Sequence, residues 1–156
     1  MKNYILILMV LISLSAKAQW QWSKQIGGIG DDYVRPSTNS NNMFVSGTFV
    51  FNCFLNGNTL SSNGYNDWFL AKYDLSGTNL LWYKQIGNFN TSFTEESGQI
   101  ALVTANAIYC IGQFYDTLTI DGNSVTSNGG ADGFIAKFDF NGICFWIKSG
   151  GGLQND

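Results

Sequence analysis

The feature that most constrains this chain is an internal repeat. The run Asp67-Trp-Phe-Leu-Ala-Lys-Tyr-Asp-Leu-Ser-Gly77 returns as Asp132-Gly-Phe-Ile-Ala-Lys-Phe-Asp-Phe-Asn-Gly142. A Trp-x-Lys-x-x-Gly segment follows each copy, and a third such segment begins at Trp22. Because each unit of a repeat protein buries its apolar face against its neighbours, a period of about sixty residues indicates stacked β units rather than one irregular domain.

Turn signals divide each unit into short strands. Asn56-Gly57 and Asp121-Gly122 are dipeptides typical of tight hairpins, and an Asp-x-x-Gly turn ends each copy of the repeated run. Between the turns, apolar residues alternate with other residues in the period of two that is typical of strands. The predicted strands are 33–38, 43–50, 68–73 and 80–86 in the first unit, and 99–104, 107–114, 133–138 and 144–148 in the second.

Four consecutive antiparallel strands joined by short turns form a β-propeller blade. We therefore predict an all-β protein built of four-stranded antiparallel blades, with two complete blades and an orphan strand over 20–26. The predicted division is an orphan strand and turn at 19–32, blade 1 at 33–92, blade 2 at 93–151, and the start of a truncated third repeat at 152–156. Since a closed ring takes about four to eight blades, we expect an incomplete propeller. The remaining blades would come from a longer chain, of which this is the N-terminal part, or from self-association.

These motifs also resemble a known family. The run Asp-x-Phe-[Leu/Ile]-Ala-Lys-[Tyr/Phe]-Asp-x-x-Gly, the Trp-x-Lys-x-x-Gly segment and Gly27-Gly-Ile-Gly-Asp-Asp32 are similar to the seven-bladed β-propeller repeat (SBBP) family of exported bacterial proteins. The resemblance covers residues 20–156. The family's Asp-x-x-Gly-Asn turn before the second strand is replaced here by Ser40-Asn-Asn42 and Thr104-Ala-Asn106. The resemblance implies a propeller fold and a place outside the cell.

Residues 1–18 have the pattern of a signal peptide. Lys2 precedes an apolar run over 4–14, and Ala16-Lys-Ala18 is a small-residue cleavage site. The apolar run is shorter than the roughly 20 residues of a membrane span. We predict cleavage after Ala18, a secreted or outer-surface location, and no membrane span in the mature chain; an uncleaved N-terminal anchor is the alternative.

Composition argues against several functions. The chain has 8 basic and 11 acidic residues and no histidine. The acidic balance gives no basic surface for nucleic acid. The absence of histidine removes the usual activation of serine, threonine or cysteine nucleophiles.

The three cysteines are predicted to be buried free thiols. Cys53, Cys110 and Cys144 stand where the other copy of the repeat has Leu118, Val45 and Leu80. A thiol in the place of an aliphatic residue behaves as a small apolar group. A disulfide is the alternative, since export permits one, but no two cysteines have a metal-ligand spacing.

Several residues invite a chemical interpretation. Asp67 and Asp132 could form an acid/base pair for glycoside cleavage, but residues that recur in every unit are more often structural. Asp31-Asp32 could bind a cation, although the Ca²⁺ loop pattern is not met and a solvated turn is favoured. The Gly27-Gly-Ile-Gly30 run lacks the Gly-Lys-Ser/Thr of a phosphate loop. Lys72 and Lys137 are predicted to lie on strand faces and to pair with a nearby aspartate.

The sequence therefore favours an exported, non-catalytic interaction module that binds a protein or carbohydrate at the bacterial cell surface. No catalytic, metal or cofactor-binding residue is predicted, and the ligand-binding residues are left unknown. A contact would lie on the polar loops 39–42, 63–66 and 88–93. The alternative is a scaffold or accessory domain of a secreted enzyme whose catalytic part lies beyond residue 156.

Overall fold

The computed structural model describes residues 23–39, 41–87 and 96–155, and this part of the chain is all-β. The strands are β1 (Gly27–Ile29), β2 (Tyr33–Thr38), β3 (Met43–Leu55), β4 (Asn58–Tyr73), β5 (Leu80–Ile86), β6 (Ser97–Val103), β7 (Ile108–Phe114), β8 (Thr117–Ile120), β9 (Asn123–Thr126), β10 (Asp132–Phe138) and β11 (Cys144–Gly150). None of the described residues forms a helix of the length and apolarity needed to cross a membrane.

Two antiparallel four-stranded meanders form the body of the protein. Blade 1 has the order β2-β3-β4-β5, and blade 2 has the order β6-β7-β10-β11. The predicted all-β class of four-stranded antiparallel blades is confirmed, and each of the eight blade strands overlaps its predicted range. The two sheets share the register that the repeat requires: Tyr73 faces Leu80 in blade 1, and Phe138 faces Cys144 in blade 2.

The strands of the predicted small hairpins are organised differently in the two blades. In blade 1, β3 and β4 run through to the turn at Asn56 and Gly57, where φ is 51° and 86°. In blade 2 the corresponding residues form a separate two-stranded sheet, β8–β9, around Asp121 and Gly122. Both dipeptides adopt the left-handed conformation that a primed hairpin turn demands. The hairpin prediction is correct at both positions, whereas 43–50 and 68–73 were predicted too short.

The orphan strand differs from its prediction. Residues 23–26, the described part of the predicted strand 20–26, have no regular structure, and the strand is instead β1, at the start of the predicted glycine-rich turn. Strand β1 pairs with the distal part of β3, around Cys53. Gly28 permits this approach, because a Cβ at that position would lie 1.8 Å from the carbonyl oxygen of Asn52.

The main core lies between the two blades. Trp68 of β4 is fully buried and packs on blade 2, with its ring centroid 5.7 Å from that of Phe134 and 6.4 Å from that of Phe138. Gly98 of β6 makes room for this indole, since a Cβ there would lie 2.3 Å from Trp68 Cδ2. The inter-blade core also contains the following buried residues: Phe44, Leu70, Ile86, Ile108, Cys110, Phe114, Leu118, Ile120, Ala136, Cys144 and Ile147.

The turn Asp139–Gly142 of blade 2 inserts into a groove on blade 1. The ring of Phe140 lies 5.2 Å from that of Phe44. The carbonyl oxygen of Phe140 accepts hydrogen bonds from Trp82 Nε1 at 3.0 Å and from Lys72 Nζ at 3.3 Å. Sheet packing and directed hydrogen bonds therefore act at the same contact.

This contact has a matched control within the chain, because Leu75 occupies the place of Phe140 in the equivalent turn of blade 1 and is 55% exposed. We predict that Phe140→Ala lowers the free energy of unfolding by about 2 kcal/mol, since it removes a half-buried ring from the groove. Leu75→Ala should change it by less than about 0.5 kcal/mol. Urea unfolding of the two variants measures the difference, and equal effects would contradict the inserted turn.

Candidate binding cleft and buried carboxylates

Asp67 and Asp132 are fully buried, and each is used within its own blade. Asp67 Oδ2 accepts from the backbone N of Asn63 at 3.1 Å and from Gln85 Nε2 at 2.6 Å. Asp132 Oδ2 accepts from the backbone N of Asn128 at 3.0 Å and from its side-chain amide at 3.2 Å. Each carboxylate therefore fixes the Ser-Asn-Gly segment that precedes it, which lies inside β4 in blade 1 and before β10 in blade 2. This supports the structural interpretation of the pair.

The glycine that ends each Trp-x-Lys-x-x-Gly segment packs against the same aspartate. A Cβ on Gly87 would lie 2.1 Å from Asp67 Oδ1, and a Cβ on Gly151 would lie 2.3 Å from Asp132 Oδ1. Two motifs that lie about twenty residues apart in the sequence thus form one structural unit. The glycine is required because no side chain fits beside the buried carboxylate.

We predict that Gly87→Ala lowers the free energy of unfolding by about 1–3 kcal/mol, the usual range for overpacking a buried site. Gly150→Ala is the matched control, since nothing lies within 4 Å of a Cβ at that position. Thermal or urea unfolding of both variants makes the comparison. A Gly87→Ala variant as stable as Gly150→Ala would contradict the packing of Asp67 against Gly87.

The remaining residues with a possible chemical role have structural contacts. Asp32 Oδ2 accepts from the backbone N of Gly28 at 2.7 Å and so stabilises the chain around β1. Lys72 lies over the ring of Phe44 and donates to a carbonyl, and Lys137 lies 5.7 Å from the ring centroid of Tyr109. The prediction that these two lysines pair with an aspartate is wrong for the described residues, because their ammonium groups lie over aromatic rings instead of beside a carboxylate.

One lysine–aspartate pair does join the blades in the described structure. Lys84 of β5 donates to both carboxylate oxygens of Asp121 at the tip of the small hairpin of blade 2. Asp121 Oδ2 also accepts from the backbone N of Cys144 at 2.8 Å. The pair was not predicted, because sequence periodicity does not show which tip reaches the neighbouring blade.

Cys53, Cys110 and Cys144 are free and buried, as predicted. Burial raises the pKa of Cys53 and of Cys144 to about 11, and it also raises the pKa of Cys110. The thiolate, which is the reactive form, is therefore scarce at neutral pH. These cysteines act as core residues.

Glu96 is a buried carboxylic acid that the sequence did not reveal. It is 1% exposed, and neither of its carboxylate oxygens has a hydrogen-bond partner. Burial, and secondarily the charge of Asp67, raises the pKa of Glu96 to about 7. Its position in a polar Thr-Glu-Glu-Ser-Gly run gave no signal of burial.

This raised pKa predicts a pH dependence of stability. Between about pH 4.5, the ordinary value, and about pH 7, the folded state binds more protons than the unfolded state, so the free energy of unfolding falls as pH rises. The full effect of Glu96 is on the order of 3 kcal/mol. Glu96→Gln should flatten this decrease and be more stable than the wild type above pH 7, as measured by urea unfolding across pH 4.5–8.

Other perturbed carboxylates can be separated from Glu96 in this experiment. Hydrogen bonds from Ser76, Asn79 and Thr78 lower the pKa of Asp74 to about 2, so Asp74 titrates below the window. Burial raises the pKa of Asp67, which leaves a slope of the same sign in the variant. An unchanged pH slope in Glu96→Gln would contradict the assignment.

A cleft with polar and apolar lining lies where the first strands of the two blades meet. It has a volume of about 320 Å³ and is bordered by strands β2, β3, β4, β6 and β7. Its lining residues are Tyr33, Arg35, Ser46, Gly47, Thr48, Asn66, Ser97, Gly98, Gln99, Ile111 and Gly112. Seven of these eleven residues carry a hydroxyl, amide or guanidinium group.

Two features of the cleft favour a ligand with polar groups. Tyr33 is 70% exposed and offers an open aromatic ring at the rim. The side-chain oxygen of Asn66 is buried without a hydrogen-bond partner. Among the described residues of the cleft, Arg35 is the only charged one.

The predicted contact loops contribute unequally. Asn66 lines the cleft, but the prediction of a loop over 63–66 is wrong, because these residues lie inside strand β4. Asn39 of the loop 39–42 stabilises its own turn, accepting from the backbone N of Asn42 at 2.9 Å, and its amide donates to the carbonyl oxygen of Thr104 at 3.3 Å. The loop 88–93 lies outside the described residues.

The described fold defines a class, an all-β protein of stacked four-stranded antiparallel blades. Neither a scan against protein-family models nor a search of curated proteins finds a match to the chain. The resemblance to the SBBP repeat family accordingly rests on the sequence motifs, and the function on the chemistry of the cleft.

Proposed function

We propose that this chain is an exported, non-catalytic β-propeller module of the SBBP type that binds carbohydrate at the bacterial cell surface. The observation that carries the proposal is the inter-blade cleft, in which an exposed aromatic ring stands beside uncharged hydrogen-bonding groups and one arginine. Sugars present hydroxyl groups to such donors and acceptors, and they present C–H faces to aromatic rings. Orientation by a few polar groups is the general pattern of small-ligand sites.

A neutral or weakly acidic sugar fits the cleft better than a strongly charged ligand. Arg35 could pair with one carboxylate or sulfate group, while Thr48, Ser97 and Gln99 would contact hydroxyls. A protein ligand is the second form of the proposal, and it would use the same rim. The described geometry favours a sugar because the opening is concave and small compared with a protein–protein interface.

The experiment is a glycan array followed by titration calorimetry with the best ligand. We expect binding by the exported chain, and at least tenfold weaker binding by Tyr33→Ala. Tyr83→Ala is the matched control, because Tyr83 on β5 is also exposed but does not line the cleft. Equal loss in the two variants, or no binding to any glycan, would overturn the carbohydrate proposal.

Export has its own test. Amino-terminal sequencing of the protein recovered from outside the producing cell should begin at Gln19. Replacing both alanines of the cleavage site, Ala16→Arg with Ala18→Arg, should leave the leader attached. Retention of the unmodified chain inside the cell would contradict export, whatever the ligand proves to be.

A further inference from the structure

Two exposed aromatic side chains of blade 1 contact each other at a bulge between β3 and β4. The ring centroids of Phe51 and Tyr65 lie 6.4 Å apart in a T-shaped arrangement. Phe51 is 58% exposed and Tyr65 is 39% exposed. The strands lose register here, because Phe51 of β3 and residues 62–65 of β4 have no partner in the ladder. Bulges re-aim the side chains they carry, and we call Phe51 and Tyr65 the aromatic pair.

The backbone of Phe51 is left-handed, with φ at 62°. This conformation is unfavourable for a bulky residue, because its Cβ comes too close to the following carbonyl oxygen. In the described structure, the other non-glycine residues with positive φ are Asn56, Asp116 and Asp121, of the two types that tolerate it well. By register, Asp116 is the equivalent of Phe51 in blade 2. The bulge therefore does not require a phenylalanine.

Tyr65 differs between the two copies in the same way. Its equivalent in blade 2 is Gly130, two residues before the shared aspartate. The repeat can thus be built without either ring, yet blade 1 holds both partly in solvent and one of them in a strained conformation. Because strained residues cluster at ligand contacts, the aromatic pair points to a role in binding rather than in folding.

The aromatic pair is continuous with the cleft along both strands. On β4, Asn66 of the cleft directly follows Tyr65. On β3, Thr48 of the cleft precedes Phe51 by three residues, which is about 10 Å along an extended strand. A ligand in the cleft therefore reaches the pair only if it extends beyond the opening.

We propose that the cleft and the aromatic pair together bind an extended oligosaccharide, with one sugar unit in the cleft and another against Phe51 and Tyr65. This inference rests on the proposed function, and it specifies a chain of linked sugars as the ligand. Each sugar ring has a C–H face, and such C–H groups pack on the electron-rich face of an aromatic ring. A monosaccharide would use the cleft alone.

The surroundings of the aromatic pair favour a sugar chain over the apolar core of a protein interface. Several neighbours of the two rings on β3 and β4 are uncharged and polar: Asn52, Ser61, Ser62, Asn63 and Asn66. Hydroxyl and amide groups beside an aromatic ring match a ligand that carries hydroxyl groups around C–H faces. The core of a protein interface, by contrast, is more apolar than its rim.

The test compares a disaccharide and a hexasaccharide cut from the glycan that binds best on the array, by titration calorimetry. Wild type should bind the hexasaccharide more tightly. Phe51→Asn should weaken hexasaccharide binding roughly three- to tenfold, the value of one aromatic contact, and so remove most of the gain from chain length. Tyr33→Ala, in the cleft, should weaken binding of both fragments.

Urea unfolding separates this role from a structural one. Because asparagine tolerates the left-handed conformation, Phe51→Asn should not lower the unfolding midpoint. Phe54→Asn is the matched control, since Phe54 is also exposed on β3 but has no positive φ, and it should keep the full dependence on chain length.

Three results would overturn this inference alone: equal affinity of the wild type for both fragments, an unchanged length dependence in Phe51→Asn, or a lowered unfolding midpoint in that variant. Loss of the length dependence in Phe54→Asn as well would also contradict it. Absence of binding to every glycan would overturn the proposed function together with this inference.

Discussion

The packing of one sheet face on the next is the interaction on which the rest of this structure depends. A four-stranded antiparallel sheet of this size has two faces, and it cannot exclude water from both by itself. Trp68, Phe44 and Leu70 on one blade become fully buried only because Phe134, Phe138 and Gly98 lie opposite. The stability of each blade therefore depends on its packing against the other blade, and the cleft lies beside this contact, where β6 meets β2 and β3.

The sequence predicted the fold well where local chemistry decides it. The turns at Asn56-Gly57 and Asp121-Gly122 require left-handed residues, and the alternation around Phe69 and Phe134 requires two-faced strands. Both signals are local, so they could be recognised without coordinates. The position of β1 was missed, because β1 pairs with the distal part of β3 through a close backbone approach at Gly28. Local strand propensity does not show such a long-range contact.

The candidate site was much less predictable than the fold. The cleft combines residues from five strands, and only Asn66 lay in a segment that composition had singled out. Glu96 was invisible for a different reason: a glutamate in a polar run is normally exposed, and its burial follows from how blade 2 begins against Asp67. Asp67 and Asp132 were recognised as structural from their recurrence, but their glycine partners required the three-dimensional contact.

The turns that close the third strand of each blade differ by one residue. In blade 1 the chain takes seven positions to pass from Asp74 to Leu80, and in blade 2 it takes six to pass from Asp139 to Cys144. Both aspartates nevertheless accept backbone hydrogen bonds on the far side of the turn, Asp74 from Thr78 and Asp139 from Ile143. The one-residue difference in turn length is thus accommodated outside the sheet. The inward-facing residues of the two blades therefore keep equivalent partners. A duplicated gene segment can therefore gain or lose a codon at this turn without moving its core residues. An alignment of the two copies without a gap at this turn would pair Cys144 with Asn79 instead of with Leu80, its structural equivalent.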